Sequence, residues 1–143
     1  MDKALLKTKI GHVLALEPGV RFAYLFGSQA KGTAGRLSDI DVAVFFNEAA
    51  YIRGSIYGPE SELVFKLEKA LEAGPVDIVV LNKAPILLRY QVLKYGEIIY
   101  CRSEEERIKF HEETIRLYLD FLPFRAVQNY YLQKRINEGT FGR

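Results

Sequence analysis

Short, mostly apolar runs alternate along the chain with segments in which apolar residues recur every three or four positions. A short apolar run bounded by glycine, proline or polar residues is typical of a strand buried in a sheet. Four such runs predict strands at residues 20–26, 40–46, 76–81 and 97–101. The chain is therefore expected to build a sheet of about four strands.

Segments with helical spacing lie before, between and after these runs. The predicted helices cover a segment capped by Asp2 and ended by Pro18, a short segment from about Ser28, residues 60–73, residues 85–95 and a long segment from Ser103. The expected buried stripe of the helix at 60–73 consists of Leu63, Leu67, Ala70 and Leu71. Because helices separate the strands, the sequence predicts an α/β fold with a mixed sheet in one domain.

The last predicted helix is the longest. Ser103 and Glu106 have the spacing of a capping box at its start. Pro123 is expected to interrupt this helix, which resumes from Phe124 to Ile136. Its expected buried stripe consists of Ile108, Ile115, Leu119 and Leu122. We therefore divide the single domain, 1–143, into a core over about 1–102 and a C-terminal helical region over about 103–143.

Composition narrows the class of protein without identifying it. The chain of 143 residues is 49% hydrophobic and 27% charged, which excludes a disordered or fibrous protein. Its net charge of +2 is too small a surplus to indicate direct nucleic-acid binding. One cysteine excludes an internal disulfide, and no apolar run approaches the ~20 residues that span a bilayer. We expect a cytoplasmic protein that does not bind membranes.

The first chemical feature is the junction Gly27-Ser28, which follows a predicted strand and precedes a predicted short helix. Free backbone N–H groups and the positive end of a helix dipole favour phosphate binding at such a junction. Glycine lets the backbone approach a ligand closely. Lys31 and Arg36 lie nearby in sequence. This segment is interpreted as a phosphate cradle, with Lys31 as a candidate phosphate ligand.

The second chemical feature is a set of aspartates at the starts of two predicted strands. Strand periodicity places Asp39 and Asp41 on one face, with Cα atoms roughly 6.5–7 Å apart. Asp77 begins the next strand and is expected in a buried setting across the sheet from them. Like charges at such distances repel, and a divalent cation removes that repulsion. Oxygen ligands beside a phosphate site indicate Mg²⁺ or Mn²⁺.

Together these residues resemble the signature of the DNA polymerase beta-like nucleotidyltransferase superfamily. The resemblance consists of Gly27-Ser28, ten intervening residues and Asp39-x-Asp41, and it covers about residues 20 to 82. The short length resembles the minimal nucleotidyltransferase (MNT) branch. Arg107, Phe110 and the run 118–121 resemble the C-terminal part of MNT antitoxins that pair with HEPN toxins.

This resemblance implies a fold, a set of ligands and a reaction. It implies the polymerase beta-like fold, two divalent ions held by Asp39, Asp41 and Asp77, and an ATP triphosphate held by Gly27, Ser28 and Lys31. The implied reaction transfers AMP from ATP to a tyrosine of a HEPN-type toxin and releases pyrophosphate. The chain is then an antitoxin that silences its partner by AMPylation.

The residues alone leave other interpretations open. The acceptor could instead be a small molecule, or the chain could be a non-catalytic antitoxin that acts by binding. Asp77 could simply cap the entry to its strand, and Lys31 could be a solvated lysine. The aromatic C-terminal residues fit either the core of the domain or a contact surface, for a partner or for a homo-oligomer.

Overall fold

The computed structural model describes residues 2–27, 39–49, 58–72 and 74–137. The complete helices and strands of these ranges are α1 (Lys3–Ala15), β1 (Val20–Phe26), β2 (Ile40–Phe46), α2 (Pro59–Leu71), β3 (Val76–Val80), α3 (Ile86–Tyr95), β4 (Glu97–Cys101) and α4 (Glu104–Asn137). The predicted strands are confirmed to within one residue at each end. The short helix predicted from Ser28 lies outside the described residues.

The strands form one four-stranded sheet in the order β3-β2-β1-β4. β1 runs antiparallel to both β2 and β4, whereas β2 and β3 are parallel. The predicted mixed sheet is therefore confirmed. Because of these directions, the end of β1, the start of β2 and the start of β3 all lie at the same edge of the sheet.

Helices cover both faces of the sheet, since the strands are apolar on both faces. The core on one face includes Leu6, Ile10 and Leu14 of α1 and Leu63, Leu67 and Leu71 of α2. The core on the other face includes Val92 of α3 and Phe110 of α4. The predicted stripe of α2 is correct except for Ala70, which is exposed because Leu67 and Leu71 already occupy the turns that face the sheet.

The start of α4 is fixed by two polar contacts. The Ser103 hydroxyl oxygen accepts a hydrogen bond from the backbone N–H of Glu106 at 3.2 Å, which is one half of the predicted capping box. The carboxylate of Glu106 instead accepts bonds from the Arg21 guanidinium, at 2.9 Å from Nε and 2.8 Å from Nη2. This fork joins the first turn of α4 to the start of β1. At α1, Asp2 occupies the N-cap position without a side-chain cap bond.

The prediction that Pro123 interrupts the last helix is wrong, because α4 is continuous from Glu104 to Asn137. Proline at position 123 has no N–H to donate to the carbonyl of Leu119, four residues earlier. Leu119 is 57% exposed, and every residue from 122 to 136 is exposed. Water can therefore bind the freed carbonyl, and the helix tolerates the proline.

The predicted buried stripe of α4 is also wrong. The buried face of α4 instead contains Phe110 and Thr114, which are one helical turn apart. The Phe110 ring packs on the stacked pair Phe22 and Phe45, with ring centroids 5.5 and 5.2 Å away. Of the predicted stripe only Ile115 is half-buried, whereas Ile108, Leu119 and Leu122 are 46%, 57% and 38% exposed. Apolar residues occupy more than one face of this helix, so their spacing alone does not indicate which face is buried.

Within the described ranges, none of the helices has both the length and the apolar character that a membrane span requires.

Candidate active site

Three strand ends bring the predicted site residues together at one edge of the sheet. Phe26 at the end of β1 pairs with Asp41 in β2, and Asp41 in turn pairs with Asp77 in β3. Asp39 directly precedes β2, and Gly27 directly follows β1. The backbone N–H of Ile40 donates to the carbonyl of Pro75 at 2.8 Å, which fixes the start of β2 against the start of β3. The structure therefore brings Asp39, Asp41, Asp77 and Gly27 to a common edge.

Alternation along the strands determines which face these side chains occupy. Ile40 and Val42 belong to the core under α1 and α2, so Asp41 between them lies on the face of α3 and α4. Val76 and Ile78 pack in the same way around Asp77. The carboxylates of Asp41 and Asp77 therefore lie on one face, on neighbouring strands that are about 4.8 Å apart.

The surroundings of Asp41 disfavour its charged form. Burial raises the pKa of the Asp41 carboxyl above its ordinary value, and repulsion from Asp77 and from Asp39 raises it further. Asp41 is half-buried, whereas Asp39 and Asp77 are exposed. The expectation that Asp77 lies in a buried setting is wrong, because β3 is the last described strand at its edge of the sheet and leaves this side chain open to solvent. Within the described ranges, no lysine, arginine or histidine forms an ion pair with these carboxylates.

This donor set suits a hard divalent cation, since carboxylate oxygens are the ligands that Mg²⁺ and Mn²⁺ prefer. Repulsion from Asp77 and Asp39 is one cause of the raised pKa of Asp41, and a bound cation would offset this repulsion. Among the described residues, no three His, Cys, Asp or Glu side chains already converge on one point. The three aspartates are therefore neighbours with oxygen donors suited to such a cation, and two of them, Asp41 and Asp77, share a face. They do not form a complete ligand set in this structure.

The raised pKa of Asp41 predicts how stability depends on pH when no metal is bound. Below the ordinary value of 3.8 the carboxyl is protonated in both folded and unfolded chains, and its folded setting carries no penalty. As the pH rises through the higher folded pKa, the group ionises where charge is disfavoured, and stability falls. We therefore expect Asp41→Asn to have a higher Tm than the wild type at neutral pH in chelator.

That difference in Tm should vanish near pH ~3, where Asp41 is neutral in both proteins. Differential scanning calorimetry over a pH series measures it, and addition of Mg²⁺ should raise the Tm of the wild type but not that of the variant. A variant that is less stable than the wild type at every pH would contradict the assigned repulsion.

Gly27 has a second structural role that its place in the sequence did not reveal. Its φ of +73° lies in the left-handed region that favours glycine. A Cβ atom built on Gly27 would collide with Oδ2 of Asp41 and would lie 3.2 Å from its Cγ. The missing side chain therefore leaves the space that the Asp41 carboxylate occupies, in addition to letting a ligand approach the backbone.

Two further predicted site residues, Ser28 and Lys31, lie outside the described residues, as does Arg36. Phe26, which is not among the predicted site residues, is the register partner of Asp41 and packs against the core under α3 and α4. Val79 packs against the same core, and period-two alternation from Asp77 identifies it in the sequence. These apolar neighbours explain why burial is the largest cause of the raised Asp41 pKa.

Comparison with known families assigns this arrangement to a class of enzymes. Residues 8–105 match the family described as polymerase beta, nucleotidyltransferase. The chain belongs to this family. The match includes β1, β2, β3 and all four residues placed at the common edge. Members of the family use a divalent metal ion and a nucleotide, which agrees with the donor set described above.

Two curated relatives have the same named activity. The chain is 37% identical over 101 residues to protein adenylyltransferase MntA of Shewanella oneidensis, covering 71% of this chain and 68% of the relative. It is 28% identical over 110 residues to protein adenylyltransferase MntA of Aphanizomenon flos-aquae, covering 68% of each.

Solved structures of similar fold come from toxin-antitoxin complexes. A crystal structure of a toxin-antitoxin with AMP-PNP matches with a TM-score of 0.67 and 30% identity, over 88% of this chain and 98% of that one. A tri-AMPylated Shewanella oneidensis HEPN toxin in complex with MNT antitoxin matches with a TM-score of 0.64 and 26% identity, over 92% of this chain and 99% of that one. The polymerase beta-like nucleotidyltransferase fold implied by the sequence motif is confirmed.

The contact between Gly27 and Asp41 gives a specific prediction for nucleotidyl transfer. If Asp41 acts in the reaction as the resemblance implies, Gly27→Ala should lower the transfer rate by about 100-fold, because displacing such a carboxylate by ~1 Å can cost that much. The matched control is Gly58→Ala, since Gly58 also has a positive φ of +87° but its added Cβ would meet Glu60. Both variants should lose similar stability, about 1–2 kcal/mol of left-handed strain. Equal transfer rates in the two variants would show that backbone strain alone explains the need for Gly27.

Proposed function

We propose that this chain is the antitoxin of a HEPN/MNT toxin-antitoxin pair and transfers AMP from ATP to a tyrosine of its partner toxin. The observation that carries the proposal is the set Asp39, Asp41 and Asp77 on one face of adjacent strands, beside a glycine that leaves space for the central carboxylate. It occurs in a nucleotidyltransferase whose relatives are named protein adenylyltransferases. A cytoplasmic location accompanies this proposal, because ATP is supplied there.

In this proposal Asp39 and Asp41 would hold two Mg²⁺ or Mn²⁺ ions, and Asp77 would contribute to the site nearer the acceptor. Such ions stabilise the charge that develops on the entering and leaving oxygens. Gly27, Ser28 and Lys31 would hold the triphosphate through backbone N–H groups, a hydroxyl and an ammonium. The resemblance to the polymerase beta-like superfamily, in which the carboxylate at this position serves the ion that activates the acceptor, supports this role for Asp77.

The reaction is a displacement at the α-phosphorus of ATP. The tyrosine oxygen forms the new bond to phosphorus, the bond to the β,γ-diphosphate breaks, and pyrophosphate leaves. As the resemblance implies, Asp77 would hold the ion that activates the acceptor and would help to accept the hydroxyl proton; its carboxylate is exposed and so is open to the acceptor. Positioning of the two substrates would supply most of the rate enhancement.

Two features of similar structures support ATP as the donor and a protein as the acceptor. One similar toxin-antitoxin structure contains AMP-PNP, an analogue of ATP. Another contains a HEPN toxin that is tri-AMPylated and in complex with its MNT antitoxin. That structure matches 92% of this chain, so the proposal rests on similarity across nearly the whole length.

The proposal predicts that a HEPN-type protein is encoded beside this chain, and intact-mass spectrometry of that protein tests it. After incubation with this chain, ATP and Mg²⁺, its mass should increase by one or more AMP groups, and pyrophosphate should accumulate. A HEPN protein that binds the chain but never gains mass would indicate an antitoxin acting by binding alone. A failure to bind or modify any HEPN protein, with transfer to a small molecule instead, would refute the proposal.

A further inference from the structure

The distal arm, which we define as residues 119–136 of α4, extends beyond the body of the protein. We propose that this arm is the surface on which the HEPN toxin docks; this inference rests on the proposed function. α4 has 34 residues and is therefore about 51 Å long. Its contact with the sheet is made near its start, where Phe110 packs on Phe22 and Phe45. From residue 122 to 136 every side chain is exposed.

The exposed side chains of the distal arm are unusually apolar for a helix in water. The large ones, which are 38% to 64% exposed, are Leu119, Leu122, Phe124, Val127, Tyr130, Tyr131, Leu132 and Ile136. Eight large side chains at about half exposure present roughly 800 Å² around the helix. A stable interface of standard size buries about 800 Å² on each partner. A toxin groove that covers one face of the arm would therefore bury a substantial part of one side of such an interface.

The extent of the matches to other proteins indicates which partner covers the arm. The family match ends at residue 105, so the arm lies outside the part of the chain shared with nucleotidyltransferases in general. The match to the MNT antitoxin in complex with a HEPN toxin covers 92% of this chain. The remaining 8% of 143 residues is about 11 residues, fewer than the arm contains. Part of the arm therefore has a counterpart in an antitoxin that is bound to a HEPN toxin.

Charge on the arm further specifies the surface that would receive it. Arg125, Lys134 and Arg135 are exposed cations, and Asp120 is the arm's acidic residue. Phe124, Val127 and Tyr131 follow one another at intervals of three and four residues, so they share one face. A toxin surface that fits this arm has an apolar groove with an acidic rim. Tyrosine and arginine are the residue types that most often dominate binding energy at interfaces.

The test compares two double variants of the full chain for binding to the HEPN protein encoded beside it. Val127→Glu/Tyr131→Glu places two charges on the apolar face of the arm. The matched control, Leu16→Glu/Phe65→Glu, changes two side chains that are 81% and 68% exposed, one at the C-cap of α1 and one on α2, across the sheet from α4. We expect the arm variant to bind at least 30-fold more weakly by isothermal titration calorimetry, and the control to bind like the wild type.

Three possible outcomes distinguish failure of this inference from failure of the proposed function. If the wild type binds and modifies the HEPN protein while the arm variant binds equally well, the docking surface lies elsewhere and the enzyme assignment stands. If the wild type neither binds nor modifies it, the proposed function fails and the docking inference fails with it. If the chain alone is a dimer that the arm variant dissociates, a second copy covers the arm and the inference is overturned. Magnesium-dependent ATP binding by the arm variant should equal that of the wild type, which shows that its site is intact.

Discussion

The double variant Asp39→Asn/Asp41→Asn should lose AMP transfer by at least ~1,000-fold and lose Mg²⁺-dependent binding of ATP. Asparagine keeps the size of each side chain and removes the two charges that a divalent cation requires. The structure places Asp41 between Asp77 and Phe26 on neighbouring strands, so the variant removes charge at the centre of the edge without removing a core side chain. Transfer of labelled AMP to the HEPN partner and calorimetric titration with ATP measure the two losses.

The control for this variant carries the same chemical change, from carboxylate to amide, at two exposed residues outside both the site and the distal arm. Asp2→Asn/Glu105→Gln alters an N-cap position, where asparagine serves as well as aspartate, and an exposed position in the first turn of α4. Transfer and ATP affinity should be unchanged in this control. Undiminished, metal-independent ATP binding by Asp39→Asn/Asp41→Asn would show that the nucleotide site lies elsewhere in the chain.

Strand positions could be predicted from the sequence, because a strand that is buried on both faces consists almost entirely of apolar residues. Val20–Phe26 and Ile40–Phe46 are apolar runs with clear boundaries, and the structure has them at those residues. The meeting of Asp41 and Asp77 was also predictable, since each aspartate begins a strand and neighbouring strands lie close together. The parallel direction of β2 and β3 determined the common edge, and no local pattern specifies that direction.

Tertiary contacts decided the features that the sequence did not predict correctly. The buried face of α4 was chosen by the stacked pair Phe22 and Phe45, which receives Phe110 from a distant part of the chain. Continuity through Pro123 depends on solvent around the arm, which is a property of the folded molecule. The contact of Gly27 with Asp41 joins residues on two strands, and its motif alone suggested only an approach to phosphate.

The variant Asp77→Asn should lose AMP transfer by at least ~100-fold while its affinity for ATP falls only about threefold, because its proposed role concerns the acceptor. The exposure of Asp77 makes this a cleaner variant than a buried position would allow, and we expect no loss of Tm. Removing the charge also removes one cause of the raised pKa of Asp41. The pKa of the Asp41 carboxyl should therefore fall in the variant, as measured by NMR titration in chelator.

These measurements together distinguish a catalytic role for Asp77 from a structural one. A lowered Asp41 pKa with lost transfer and preserved ATP binding is the pattern expected if Asp77 serves the acceptor. A strand-entry aspartate that only supports the fold would instead lower the Tm and leave the transfer rate of the folded fraction unchanged. Because Asp77 pairs in register with Asp41, an unchanged Asp41 pKa would contradict the shared edge itself. Normal turnover by a well-folded Asp77→Asn protein would refute its assignment to the reaction, whatever the pKa of Asp41.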